Sequence, residues 1–279
     1  MTSIRFFMLY LISATMHNNN MKNITISEQY LDLSQGKIFV RQWRPDNSAH
    51  HDPIVLLHDS LGSVDLWRDL PQQLAALLNR PVIAYDRLGF GKSSARTELP
   101  SVRFVAEEAE LYFPQVCQAL NITRFYLFGH SVGGGMALLI AANNAHCKGV
   151  ISVATQAFVE ERTKEGIRVA QKAFQDPMQL ERLKKWHGEK AQWVLSAWTD
   201  VWLSEDFSDW NLIQEIKHIT CPALVIHGED DEYGSRAFPE TIRDNVSGPV
   251  QMEVLSNCAH MPHKEQTEQV LALIEAFFA

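Results

Sequence analysis

Short, unbroken apolar runs recur along the chain, and between most of them apolar residues return every three to four positions. Pro53-Ile-Val-Leu-Leu57 and Pro81-Val-Ile-Ala-Tyr85 are runs of the first kind, the pattern of strands buried on both faces of a parallel sheet. Between them Leu66, Leu70, Leu74 and Leu78 repeat at i+4 and predict a helix over 64–79. Two strands are expected earlier, over 24–33 and 37–43, joined by a turn at Ser34-Gln-Gly36. Further strands are read at 124–128 and 149–154, with helices over 102–120 and 131–145. Such alternation implies right-handed crossovers and a parallel sheet covered by helices on both faces. In sheets of this kind ligands bind at the carboxyl ends of the strands.

The rhythm breaks after residue 156. Residues 157–211 carry no strand signal, read as several helices, and hold five of the seven tryptophans: Trp186, Trp193, Trp198, Trp202 and Trp210. The alternation then resumes with strands at 222–226 and 250–255 and helices at 239–245 and 264–279. The expected architecture is one α/β domain with a mostly parallel, twisted sheet of about eight strands. Residues 22–156 and 212–279 form its two parts, and residues 157–211 form an inserted helical cap.

Composition narrows the partners. The chain has 279 residues, 46% of them apolar, and a net charge of −8 without any Lys/Arg-rich run. That range is ordinary for a globular protein, and a nucleic-acid partner is excluded because such affinity needs clustered positive charge. Cys117, Cys147, Cys221 and Cys258 lie far apart in or beside apolar stretches. They fit small packed side chains in a reducing, cytoplasmic compartment.

Residues 1–21 stand apart. Arg5 precedes the apolar stretch from Phe6 to Ala14, and a polar His17-Asn-Asn-Asn20 tract follows. The stretch is too short for a membrane span of about 20 residues. It has the size of an export signal, although its charged flank and its cleavage site are poor. The alternative reading is translation from Met16 or Met21, with the head outside the fold.

The densest chemistry lies at Phe128-Gly129-His130-Ser131-Val132-Gly133-Gly134-Gly135. It fits G-x-S-x-G between an expected strand and an expected helix, where that motif makes a nucleophile turn. A serine on so sharp a turn is lifted clear of the sheet, with the helix N-terminus beneath developing negative charge. The competing reading is a glycine-rich helix start without chemical meaning.

A serine hydroxyl needs a base. Of eleven histidines, His260 follows the last strand in Asn257-Cys-Ala-His260-Met-Pro-His263, on the same rim as Ser131. His263 is its competitor, and its other role is packing at the final helix. His58, His130 and His227 also lie at strand ends, where loop support by hydrogen bonding is expected. The acid should come from another strand end, and His227-Gly-Glu-Asp-Asp-Glu232 supplies it. Asp231 is preferred, with Asp230 second. Four adjacent acids mostly point apart, so this cluster is not read as a metal site. No cofactor is implied. For an oxyanion, backbone N–H donors are expected from Val132 and from Ser60.

With these residues placed, the chain resembles the α/β-hydrolase superfamily over residues 22–279. The carrying motifs are His58-Asp-Ser-Leu-Gly62, Asp86-Arg-Leu-Gly-Phe-Gly-Lys-Ser93, the Ser131 turn, Gly228-Glu-Asp-Asp231 and Cys258-Ala-His-Met-Pro-His263. The resemblance implies the α/β-hydrolase fold and a Ser131–His260–Asp231 triad, and it independently prefers His260 to His263. Within the superfamily the chain is most similar to small capped esterases, a group that includes enol-lactonases and carbon–carbon hydrolases. A serine nucleophile argues against the dehalogenase and epoxide-hydrolase branches. One departure is Asp59, where the family's oxyanion motif has glycine.

Trp198 and Trp202 are spaced i, i+4 and share a helix face, and Trp193 can join them. Such aromatics hold a cap to its core, yet a cap over the strand ends also walls the pocket. Asp200, Glu205 and Asp206 could meet a cationic substrate, or simply face water. The expected activity is hydrolysis of a small carboxylic ester through an acyl-enzyme on Ser131, with water and an acyl compound as partners. The rival readings are a lactone or carbon–carbon hydrolase on the same triad, and a non-catalytic receptor on a hydrolase fold.

Overall fold

The computed structural model describes residues 23–279. The head of the chain, with its export-signal and alternative-start readings, lies outside the described residues. In chain order the elements are β1 (Ile24–Leu33), β2 (Gly36–Pro45), β3 (Ile54–Leu57), α1 (Leu70–Leu78), β4 (Val82–Tyr85), α2 (Phe104–Glu107), α3 (Phe113–Leu120), β5 (Phe125–His130), α4 (Val132–Asn143) and β6 (Cys147–Val153). There follow α5 (Glu161–Ala173), α6 (Pro177–His187), α7 (Ala191–Trp202), β7 (Ala223–Gly228), α8 (Ala237–Asn245), β8 (Val250–Leu255), α9 (Pro262–Glu265) and α10 (Thr267–Phe278). Eight strands form one sheet in the order β1-β2-β4-β3-β5-β6-β7-β8. β1 and β2 are antiparallel to their neighbours, and every pairing from β4 to β8 is parallel.

The continuous apolar runs have a direct cause. Along β3, Val55 and Leu57 join the apolar layer on one face, with Leu127, Val150 and α4. Ile54 and Leu56 join the opposite layer, with Phe128, Leu74 of α1 and Ile274 of α10. Successive strand side chains alternate between faces, so a strand covered on both sides must be apolar throughout. Each such fully buried aliphatic side chain contributes about 1.5–3 kcal/mol.

Three expected helices are divided, each at an identifiable residue. The 64–79 span becomes a 3-10 turn, Val64–Trp67, followed by α1. Arg68 between them has φ 54°, and Pro71 opens α1, as the missing N–H of proline allows only in a first turn. The 102–120 span passes through a π-helical turn, Glu108–Tyr112, just before Pro114. Widening the helix there relieves the clash of the proline ring with the preceding turn. The last span breaks at Gln266, which leaves helical geometry between α9 and α10.

Between β6 and β7 the chain holds α5, α6 and α7. The neck of this helical insertion is a single antiparallel bridge, Phe158 with Asn211, flanked by Val159 N–H to the Trp210 carbonyl and Leu212 N–H to the Ala157 carbonyl. Phe90, from the loop after β4, joins Leu183, Val194 and Leu195 of the insertion in a small apolar cluster. Lys190 reinforces this contact, its Nζ donating to the carbonyls of Gly91 (2.7 Å), Phe90 (3.3 Å) and Ser93.

Candidate active site

The turn from β5 into α4 sets Ser131. Ser131 has φ 55° and ψ −128°, a conformation that costs of order 1–3 kcal/mol and persists only when packing enforces it. The enforcement is local. A side chain at Gly129 would meet the carbonyl oxygen of Gly133 at 2.2 Å, so only glycine lets the two arms of the turn cross. α4 behind it is apolar on every side and buried, which makes it a rigid support.

Ser131 Oγ lies 3.0 Å from His260 Nε2, and His260 Nδ1 lies 2.9 Å from both carboxylate oxygens of Asp231. The three residues come from the ends of β5 and β7 and the loop after β8, so the sheet brings together positions up to 129 residues apart. Asp231 is fully buried and also accepts the Tyr233 N–H at 2.8 Å. Burial alone raises a carboxylic acid, but the hydrogen bond and charge of His260 outweigh it and hold Asp231 below the ordinary range. Burial likewise lowers His260, and the Asp231 carboxylate more than reverses that, leaving the imidazole above its ordinary value. Asp230 is exposed. His263 is buried against His130 and Trp67, with ring centroids 4.5 and 5.4 Å away. Its place is in packing.

The loop after β3 carries Ser60 to the same rim. His58 Nε2 accepts the Arg87 N–H at 3.1 Å, so its Nδ1–H donates to the Asp59 carbonyl at 2.8 Å. The Asp59 carboxylate accepts the Leu61 N–H at 2.9 Å and faces His130 Nδ1 at 3.1 Å. The departure from glycine thus adds two ties to this loop. The other two strand-end histidines also support loops: His227 Nε2 faces the Gly234 carbonyl at 3.3 Å, and His130 Nε2 faces the His260 carbonyl at 2.8 Å.

A model of the α/β hydrolase fold matches residues 52–267. The chain belongs to the α/β hydrolase fold family. A proline iminopeptidase from Heyndrickxia coagulans is 25% identical over an alignment of 297 residues that covers 90% of this chain and 98% of that protein. Among solved structures, a proline iminopeptidase from Mycobacterium smegmatis superposes with TM-score 0.65 at 22% identity, covering 90% of this chain and 97% of the other. The enol-lactonase from Burkholderia xenovorans LB400 gives TM-score 0.68 at 19% identity, with 89% and 99% covered. These structural likenesses concern the fold.

In this α/β hydrolase a cavity of about 270 Å³ opens over Ser131 and His260. Ser60 lines it, as do Leu61, Ile167, Trp198, Trp202 and Met261. Trp198 packs edge-on against Tyr233, and Trp202 against Phe207 and Trp210, so both join wall and packing roles. Trp193 is elsewhere: its ring meets Phe90 at 5.5 Å and its Nε1–H donates to the Glu98 carbonyl. The sequence pattern did not single out Gln156, whose amide oxygen is 3.4 Å from Ser131 Oγ, or Tyr233, whose ring is 4.8 Å from that of His260. Both follow strand ends, so the rule that placed Ser131 and His260 could have pointed to them. Among the described residues no cluster of three or more His, Cys, Asp or Glu is placed to hold a metal, and no helix is long and apolar enough to cross a membrane.

Proposed function

We propose that this hydrolase is a serine enzyme that cleaves a small carboxylic ester or related acyl compound. The observation that carries the reading is the unbroken hydrogen-bonded chain from Asp231 through His260 to Ser131 Oγ. Ser131 Oγ attacks the acyl carbon while its proton passes to His260 Nε2, and Asp231 holds the imidazole in the tautomer this requires. The N–H groups of Ser60 and Val132 receive the oxyanion. His260 then protonates the departing alcohol, and water, activated by the same base, releases the acid. The helical insertion serves as cap, with Trp198 and Trp202 as pocket walls.

The lining of the cavity argues against a cationic substrate, since Lys264 faces it. Among the described residues Asp59 is the one in the lining with a carboxylate, and His130 and the Leu61 N–H already engage it. Asp200, Glu205 and Asp206 do not line the cavity. A second reading, release of an N-terminal imino acid, has the near full-length likeness to the Heyndrickxia coagulans proline iminopeptidase in its favour. It requires a carboxylate for the substrate's ammonium group.

Purified protein assayed with p-nitrophenyl acetate, an enol-lactone and proline p-nitroanilide separates these readings. Ester turnover lost in Ser131→Ala supports the proposal, and turnover of the anilide alone selects the second. A folded wild-type protein that turns over none of them and resists a fluorophosphonate is a binding module.

A further inference from the structure

Gln156 touches the reacting oxygen from the side that the oxyanion loop does not reach. In the sheet β3 and β6 flank β5 on opposite sides, so Ser60, after β3, and Gln156, after β6, approach Ser131 from opposite directions. The approach of Gln156 is built in. Ala154 has φ 50°, which turns the chain sharply out of β6. Thr155 is then fixed by a 2.7 Å hydrogen bond from Ser152 Oγ. Its hydroxyl occupies the place a side chain at Gly134 would take, 1.8 Å from that Cβ position. Gln156 itself is 4% exposed, so bulk water does not readily take the place of its amide.

Hydrogen-bond counting fixes what the amide must do. Ser131 Oγ has one proton, and in the reactive state that proton is committed to neutral His260, whose Nδ1–H is held by Asp231. Any other polar group against Oγ must then donate. A carboxamide can present either end, because its last torsion is broad and two-fold. With imidazolium at His260 the serine proton is free to point to the amide oxygen, which faces Oγ at 3.4 Å. With neutral imidazole only the N–H end fits.

We propose that Gln156 Nε2 donates to Ser131 Oγ in the reactive state and stabilises the negative charge that Oγ carries there. The proposal rests on the serine-hydrolase reading above. In acylation the Oγ–carbon bond forms as the hydroxyl proton passes to His260, and the alcohol leaves with that proton. In deacylation water adds to the acyl carbon and gives its proton to His260. The Oγ–carbon bond then breaks and Oγ takes the proton back. Charge develops on Oγ in both steps, so one donor lowers both barriers, as backbone amides do for the carbonyl oxygen.

Two near-isosteric variants test this, with steady-state ester hydrolysis and the rate of fluorophosphonate labelling as readouts. Gln156→Met is expected to lower kcat by about 10- to 100-fold, the loss of one hydrogen bond to a charged atom, with KM within a few-fold and labelling slowed in parallel. Gln156→Glu should be slower than Met at neutral pH, because an ionised carboxylate only accepts and competes with His260 for the serine proton. Its activity relative to wild type should recover toward acid pH, where the protonated acid can donate, a trend that a packing role does not produce. Full activity of the Met variant, or of the Glu variant at neutral pH, overturns the donor role. Wild-type protein that is not labelled overturns the serine-hydrolase reading beneath it.

Discussion

The His130 ring spans two acceptors, the Asp59 carboxylate 3.1 Å from Nδ1 and the His260 carbonyl 2.8 Å from Nε2. It thereby ties the loop after β3 to the backbone of the residue proposed as base. His130 directly precedes Ser131 in the turn into α4, so one buried side chain links all three parts of the candidate site. The charge and hydrogen bond of His130 outweigh burial and hold the Asp59 carboxyl well below the usual carboxylate range.

Asp59→Ala removes one partner and leaves His130 Nδ1 and the Leu61 N–H without theirs. Leaving a buried polar group unsatisfied costs about 1–3 kcal/mol, and the lower part of that range is expected because the Asp59 side chain is 24% exposed. The expected result is a lower midpoint in urea. A fall in kcat should accompany it as Ser60 loses its fixed position, and KM should change less. An unchanged midpoint and kcat would show that the tie to His130 carries no strain-bearing or positioning role.

The pH profile follows from the pair at the centre of the site. The Asp231 carboxylate outweighs burial and holds His260 above its ordinary value of 6.5, and in its proposed role as base the imidazole works only when neutral. Ester turnover should therefore rise with pH through an apparent pKa above 6.5 in kcat/KM. Asp231→Asn removes the charge and leaves burial, which favours neutral imidazole, so the acid limb should move to lower pH. The plateau should fall by about 10³- to 10⁴-fold because the tautomer is no longer held. An acid limb that stays in place in this variant would argue that another group controls it.

The sheet was legible because burial on both faces forces a run such as Ile54-Val-Leu-Leu57 to be apolar throughout, and such runs are read directly. The rim residues followed from strand ends plus one motif. The helix breaks at Arg68 and Gln266 were not legible, since both are decided by how the next element packs rather than by periodicity. Trp193 shows the same limit: it shares a helix with Trp198 and Trp202, but whether a ring faces the cavity or Phe90 depends on how α7 is rotated against the core. His187 and Lys190 gave no local signal. Their partners lie some 96 to 126 residues away, in loops whose position only the folded sheet defines.

Trp193 and Trp198 allow packing to be separated from recognition. Trp198 lines the cavity and Trp193 does not. Trp198→Ala should broaden the acyl chain lengths accepted, read as a change in the ratio of kcat/KM between p-nitrophenyl acetate and octanoate. Trp193→Ala should leave that ratio in place while lowering stability by about 1–3 kcal/mol, the smaller range fitting a partly exposed aromatic. Equal shifts in the ratio from both variants would mean that α7 moves as a body.

His187 is the latch between the helical insertion and the loops after β3 and β4. Its Nδ1 accepts the Gly91 N–H at 2.9 Å, and its Nε2–H donates to the Leu61 carbonyl at 3.0 Å, one residue from Ser60. Burial pushes its pKa down from 6.5 to about 4, with the Lys190 charge acting in the same direction, and the neutral ring is the form that can accept from Gly91. Between those values the unfolded chain binds more protons than the folded one, so stability rises with pH across this window. The contribution is complete above pH 6.5 and is lost as pH falls toward 4. Its total is on the order of 3 kcal/mol, since each tenfold change in proton affinity is worth about 1.36 kcal/mol. Buried His58 and His263, both lowered as well, act in the same direction. His187→Gln keeps a polar side chain but cannot titrate, so its urea midpoint should fall less steeply between pH 6.5 and 4 than that of wild type. Hydrogen exchange should show the α6 amides of wild type losing protection over the same interval, ahead of those in β5. Identical pH slopes for the two proteins would place the acid sensitivity in the core histidines rather than in the latch.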